Sequence, residues 1–251
     1  MITPSHARAW YDSWELQQER YAGARTARMA AVVDSVRSIC PNPMLIVDIG
    51  CGPGRLAADM VAAFPRARVV AVDQDPLLLA LGRAVHAAVE FRRVDVGSPG
   101  WSDALRLRAG TVDAIVSSTA LHYPAPVALE RIYSDSAGLV RPGGVLVNAD
   151  EFPLPDGAAE DEDSGDAAAR AVPSQGVPDA AGESWQAWWE AVAAEPAFAG
   201  LLEMRAALVP AHGHDNGLGS SAHRVLLTRS GFRSAAVTWR RGTSSVIMAQ
   251  R

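Results

Sequence analysis

The residues best suited to chemistry in this chain stand at the ends of short apolar runs. Leu45-Ile46-Val47-Asp48 leads into Ile49-Gly50-Cys51-Gly52-Pro53-Gly54-Arg55, so an acid is followed by three glycines at alternate positions. Glycine tolerates positive φ and lets another group come close to the backbone. A helix that starts just after such a turn offers free N–H groups to a bound ligand. The pattern predicts a nucleotide-binding turn formed by Gly50, Cys51, Gly52 and Gly54. It differs from the dinucleotide fingerprint, whose third glycine comes one place later. A carboxylate at Asp48 suits a cationic amine better than a pyrophosphate. Asp73 falls about 20 residues after Gly54, the spacing at which an acid grips ribose hydroxyls. Asp95 and Ser117 close two further apolar runs, and His122 follows a few residues beyond Ser117. A neutral imidazole there can take a proton from a hydroxyl nucleophile. The same histidine can equally hydrogen-bond the loop backbone or pack on a substrate.

Such positions work together only if a scaffold brings the run ends to one place. Apolar, β-branched stretches at 44–48, 68–72, 89–94, 112–116 and 145–148 read as buried strands. Helical patterns separate them: one from about Arg55, one from Asp75-Pro76, and one over 125–139. Asp75-Pro76 has the form of an N-cap followed by proline in the first turn. This alternation predicts a parallel sheet with helices on both faces, whose ligands bind outside the carboxyl ends of the strands. Asp48, Asp73, Asp95 and Ser117 all fall at such ends.

Two segments lie outside the alternation. Residues 5–40 read as one or two helices stopped by Pro41-Asn42-Pro43, and they carry Trp10, Tyr11, Trp14 and Tyr21 with Arg20, Arg25 and Arg28. They either pack aromatics onto the core or form a flap, in which Trp10, Tyr11, Tyr21 and Arg25 meet a ligand. Residues 151–219 begin with an acidic, alanine-rich stretch and a loop. Trp185, Trp188 and Trp189 follow on one helical face, then a second helix over 197–208 and His212-Gly213-His214-Asp215. This reads as a helical cap in which the tryptophans and His214, with Tyr123 from the main body, surround an acceptor. Core packing or a partner interface are the other readings. His212, His214, Asp215 and His223 include metal-ligating types, but Gly213 and Gly217 suit a polar turn, and no metal is assigned. A helix over 222–230 and a hairpin through Arg241-Gly242 finish the chain. The expected division is a flap (1–43), a core (44–150), a cap (151–219) and a closing helix and hairpin (220–251).

Composition narrows the class. The chain has 251 residues, 49% hydrophobic and 20% charged, enough for one α/β domain with an insertion. A net charge of −5 argues against a broad nucleic-acid surface. Two cysteines imply no disulfide framework. With no apolar run of membrane-spanning length and no signal-peptide layout, a soluble cytoplasmic protein without a membrane partner is expected.

Val47-Asp48-Ile49-Gly50-Cys51-Gly52-Pro53-Gly54, Val72-Asp73, Asp95-Val96, the segment Ser117 to Tyr123, and Leu139-Val140-Arg141-Pro142-Gly143-Gly144-Val145-Leu146 resemble the successive motifs of class I S-adenosylmethionine (SAM)-dependent methyltransferases. The resemblance covers about 44–150 and 220–250, not the insertion. It implies a doubly wound, Rossmann-like α/β sheet of seven strands, mostly parallel, with an antiparallel last strand between strands five and six. It implies SAM as cofactor, its methionine end held by Asp48 and the Gly50–Gly54 backbone. Asp73 would take the ribose hydroxyls, Gln74 would flank the adenosine, and Asp95 and Val96 would meet the adenine. Ser117 and Leu121 would line the methyl region, with His122 as the base. No N/D-P-P-Y/F-type tetrapeptide follows strand four, which disfavours nucleic-acid N-methylation. The expected reaction is methyl transfer to an oxygen, nitrogen or carbon of a small-molecule acceptor, and the Ala-, Arg-, Val- and Gly-rich composition is compatible with secondary metabolism. An RNA methyltransferase, or a non-catalytic SAM-binding or partner subunit using the tryptophan cap as its interface, are the alternatives; a homodimer is left open.

Overall fold

The computed structural model of the chain describes residues 3–21, 24–153, 185–208 and 215–251, the side chains of 20 and 21 excepted. Its seven strands are β1 (Leu45–Ile49), β2 (Arg68–Asp73), β3 (Glu90–Arg93), β4 (Val112–Ser118), β5 (Val140–Glu151), β6 (Ser234–Arg241) and β7 (Ser244–Gln250). They form one sheet in the order β3-β2-β1-β4-β5-β7-β6, and β7 runs antiparallel to both of its neighbours. The carboxyl ends of β1 and β4 therefore lie side by side at the switch in strand order, where ligands of such sheets bind.

Both faces of the sheet are covered. Alternate residues of each central strand point to opposite faces. Ile46, Ala71, Ala114 and Val147 pack against α2 (Arg25–Ile39) and α3 (Arg55–Ala63). Val47, Val72, Ile115 and Leu146 pack against α6 (Pro126–Leu139), α9 (Ser220–Arg229) and the short helix α5 (Trp101–Ala104). The remaining helices are α1 (Pro4–Tyr21), α4 (Pro76–Val85), α7 (Trp185–Ala193) and α8 (Ala199–Leu208), with a 3₁₀ turn at Pro196–Phe198.

A third cluster joins the segments that lie outside the alternation. Trp188, Val192 and Phe198 are fully buried against Ala7 of α1 and Leu77 and Leu81 of α4, with Trp10, Trp14, Leu201 and Leu202 packed around them. So α7 and α8 dock on the β2–α4 side of the sheet, held by apolar burial.

Two local features depart from expectation. Strand five runs from Val140 to Glu151, well beyond the expected 145–148, because Val140 already pairs with Val112 before the register slips between Val112 and Ala114. Pro142 lacks an N–H and Gly143 takes φ 75°, so the slip falls where the ladder cannot be regular. Helix α5 lacked a readable pattern at four residues; Trp101 inserts into the core there, 2% exposed. Among the described residues no helix is long and apolar enough to cross a membrane.

Candidate functional site

The turn after β1 is held almost wholly by the protein's own hydrogen bonds. Gly50 and Cys51 donate to the Val72 carbonyl, Gly54 donates to the Cys51 carbonyl, and Gly52 donates to Asp73 Oδ2 at 2.8 Å. The N–H groups of the turn itself are thus already paired within the protein. What the loop provides is missing side chains. A Cβ on Gly50 would stand 2.2 Å from the Ala120 Cβ, whereas one on Gly52 would have only Leu78 Cδ1 near it, at 4.0 Å. Gly50 is thus required by the close approach of the segment just after β4, and Gly52 leaves space open. Gly54 abuts the Phe91 ring and does not border the cleft described below.

A cleft of about 570 Å³ lies over the carboxyl ends of β1, β2 and β4, within the usual size range of small-molecule sites. It brings together Asp48, Gly50, Cys51, Gly52, Asp73, Gln74, Asp95, Val96 and Leu121. Asp48 is fully buried, and no hydrogen bond of good geometry reaches either carboxylate oxygen, the Ala57 N–H being at most a weak donor to it. Burial, and then the nearby Asp73 charge, push its pKa up to about 8; only the Ala57 N–H in the first turn of α3 works the other way. Asp73 is also raised by burial, though its oxygens accept the N–H groups of Gly52 and Asp75. The Cys51 thiol is pushed well up by burial and by these same acids, so it is not a ready nucleophile. Asp95 accepts from Gly97 N–H and Ser98 Oγ.

This donor set fits SAM. An enclosed carboxyl with no strong donor on it, beside a second acid, calls for a cation, and SAM carries a sulfonium and an ammonium. Its ribose hydroxyls and adenine amino group are donors for the remaining acceptors. The space left at Gly52 admits a ligand against the loop.

Ser117 requires correction. Its hydroxyl points into the sheet and donates to the Ile49 carbonyl at 2.8 Å, so it does not border the cleft. The next residue, Ser118, faces the other way and lines the cleft, and its hydroxyl has no partner. A strand's side chains alternate, so a one-residue error in choosing which serine faces out changes the assignment.

His122 sits just past β4, outside the cleft lining but with its ring 3.9 Å from that of Tyr123, which lines it. Its Nδ1 lies 2.9 Å from Asp150 Oδ1. The carboxylate accepts only if Nδ1 carries the proton, which leaves Nε2 with its lone pair. Burial by itself lowers the imidazole pKa, and Asp150 more than offsets this, so the net shift is upward. Asp150 is 1% exposed on β5 and was not visible as a site residue in the sequence. Only the parallel pairing of β4 with β5 brings it to His122.

The helical additions divide. Arg25 borders the cleft, bidentate to Glu15, and Glu15 also reaches Arg55. Trp14, Trp185 and Trp189 border it too. Trp10, Tyr11 and Trp188 do not, contrary to expectation. Trp188 is fully buried, Tyr11 packs edge-on against His86, and Trp10 donates to His6. Core packing claims these rings because apolar faces of α1, α4 and α7 have no other cover. The Tyr21 side chain, His212 and His214 lie outside the described residues. Among the described residues no cluster of metal-ligating side chains occurs. His223 is enclosed near Tyr133, whose hydroxyl is 2.7 Å from its Nδ1, and burial lowers its pKa to about 4.

A doubly wound sheet with a glycine turn and an acid-lined cleft at its switch point has the architecture of a nucleotide-binding domain. A methyltransferase domain model matches residues 46–144. Trans-aconitate 2-methyltransferase of Methylobacterium radiotolerans is 31% identical over 209 residues, 80% of this chain and 68% of that one. Malonyl-[acyl-carrier protein] O-methyltransferase of Methylococcus capsulatus is 30% identical over 116 residues, 46% of this chain and 40% of that one. The chain thus spans about two thirds of the first relative and less than half of the second. The solved structure of human N-acetylserotonin methyltransferase in complex with SAM shares the fold at a TM-score of 0.56 and 14% identity, over 99% of this chain and 56% of that one. The chain belongs to the class I SAM-dependent methyltransferases. SAM is its methyl donor.

Proposed function

We propose that the protein methylates an oxygen of a small-molecule acceptor bound on the Ser118–Tyr123 side of the cleft. The observation that carries this is the His122–Asp150 pair at the end of β4. An oriented imidazole is of most use to a hydroxyl, whose proton must leave as the new bond forms. When bound, SAM supplies a methyl group made electrophilic by its sulfonium. The chain then has three tasks. Asp48 balances positive charge at the methionine end, Asp73 and Asp95 hold the nucleoside, and an acceptor that extends past Tyr123 at the cleft edge meets His122 Nε2, which accepts its proton while Asp150 stabilises the resulting imidazolium. Arg25 and Tyr123 border the space left for the acceptor. A carboxylate acceptor is the second reading, favoured by the two relatives whose names specify trans-aconitate and a malonyl thioester. Such an acceptor arrives already ionised and makes little use of a base.

Incubation with methyl-labelled SAM and panels of hydroxylated and carboxylated small molecules tests this. Label is expected in a small molecule. Label found only in RNA or protein would overturn the reading.

Asp48 yields a separate expectation. Its carboxyl is largely protonated near pH 7 in the free protein, since its pKa is about 8. A bound cation favours the ionised form, so binding releases a proton. The affinity for SAM should therefore rise by up to about tenfold per pH unit below pH 8 and level off above it. The sign for folding is opposite. This carboxyl favours the folded state most below its unfolded pKa, about 3.9, and that contribution is lost as pH rises through about 8. Calorimetry in buffers of differing ionisation enthalpy reads the released proton directly. Equal proton release by wild type and Asp48→Asn would remove Asp48 from this role.

A further inference from the structure

The tryptophan-rich helices were expected to select the acceptor, yet their contacts lead to the nucleoside end of the cleft. Helix α8 brings Arg205 to the N-terminus of α4, where its Nε donates to Asp75 Oδ2 at 2.6 Å. Asp75 caps α4 with its other oxygen, accepting from the N–H groups of Leu77 and Leu78. The Asp75 N–H donates in turn to Asp73 Oδ1, and Asp73 Oδ2 holds the Gly52 N–H. On the cap side, the Arg205 guanidinium lies over the Trp189 ring, 4.0 Å from its centroid. Trp189 and Arg205 both border the cleft. A continuous series of contacts therefore runs from the cap tryptophan to the glycine turn.

Each link is built to be fixed in place. Asp75 is 4% exposed, and the side chain of Arg205 only 20%. A planar guanidinium meets a carboxylate through one edge and a ring through its face, a pairing that lysine cannot reproduce. Trp189 is also supported at its edge by Trp188, 5.0 Å away and fully buried. The ring is thus held against Arg205, which is itself fixed to Asp75, before anything binds. The aromatic surface is held there by Arg205, which reaches the ribose-side acid Asp73 through Asp75.

We propose that Trp189, positioned by Arg205 and Asp75, is a wall of the adenosine subsite, so that the cap binds cofactor rather than choosing acceptor. The inference rests on SAM occupying the cleft as described above. A flat aromatic ring is a sequence-tolerant platform for a purine, and loss of such a platform weakens binding by at least about fivefold. The contacts to Asp75 add a second consequence. Removing the Arg205 charge frees the Asp75 oxygen and lets α8 move from α4, so cofactor affinity falls even though Arg205 need not touch the ligand.

The test is calorimetry of the full chain with S-adenosylhomocysteine, and separately with adenosine, neither of which involves the acceptor. Wild type is measured first. If it binds neither compound, the cofactor assignment fails, and that failure is distinct from failure of this inference. With wild type binding, Trp189→Ala is expected to raise the Kd for both compounds at least about fivefold. Trp189→Phe should restore most of the loss. Arg205→Gln should raise both Kd values, and Arg205→Lys should not rescue them, since the amine cannot pair and stack together. Thermal melts establish that each variant is folded. Should Trp189→Ala not fold, Arg205→Gln and Trp189→Phe against wild type decide the matter. Kd values within twofold of wild type in the folded Trp189→Ala and Arg205→Gln variants would overturn the proposal and return the cap to the acceptor.

Discussion

Replacing His122 with alanine is expected to lower kcat by about 10²–10⁴-fold, the range of a lost general base, and to leave affinity for S-adenosylhomocysteine unchanged. The physical basis is the contact between Nδ1 and Asp150 at 2.9 Å, which orients the ring and leaves Nε2 basic. Burial works to lower the imidazole pKa, and the Asp150 charge outweighs it, so the group titrates above its ordinary value of about 6.5. Activity in the wild type should therefore climb with pH through a limb displaced to the alkaline side of that value. The limb should vanish in His122→Ala. In Asp150→Asn it should move to lower pH, because burial then acts without the opposing charge. The same pair has a sign in folding. Its folded-state pKa is raised, so its stabilising contribution is full below the unfolded pKa and lost as pH rises through the folded one. Melting temperatures of wild type and Asp150→Asn should accordingly converge as pH increases. A loss in kcat under about tenfold, with an unaltered pH profile, would make His122 a packing residue and favour a carboxylate acceptor.

The second large effect separates two glycines that look alike in the sequence. Gly52→Val is expected to abolish detectable S-adenosylhomocysteine binding in a protein that still folds. Around Gly52 the nearest atom to an added Cβ is Leu78 Cδ1, 4.0 Å away, so the side chain enters open cleft. Its φ of 53° costs a non-glycine residue about 1–2 kcal/mol, which a domain of this size tolerates. Gly50→Ala should instead damage the fold. There the new methyl meets the Ala120 Cβ at 2.2 Å with φ at 68°. Strain and overpacking together amount to about 2–5 kcal/mol. Thermal melts and calorimetry on the two variants would read opposite patterns. Wild-type affinity in Gly52→Val would mean that the ligand does not approach this turn.

Much of the fold could be read from local pattern. The strands around Asp48, Asp73 and Asp95 are apolar runs bounded by turn residues, and the N-cap at Asp75 is a short-range hydrogen-bond motif. Such signals lie within a few residues, so the sequence displays them directly. The site was legible as far as it followed those strand ends. Asp48, Asp73, Gln74, Asp95, Val96 and Leu121 meet in one cleft because parallel strands share an end.

The errors came where local pattern carries no information about facing or partner. Adjacent serines at 117 and 118 are equivalent in composition, and only the strand's orientation in the sheet turns one inward and the other to the cleft. Trp185, Trp188 and Trp189 share a helical face by spacing, but α4 buries Trp188 and leaves the other two at the cleft. The sequence alone determined the alternating sheet, the glycine turn and the acids at the strand ends, because each arises from contacts between near neighbours. Tertiary structure alone decided that Asp150 meets His122 and that Arg205 meets Asp75. Those pairs are 28 and 130 residues apart, and only strand pairing and helix docking bring them within hydrogen-bonding distance.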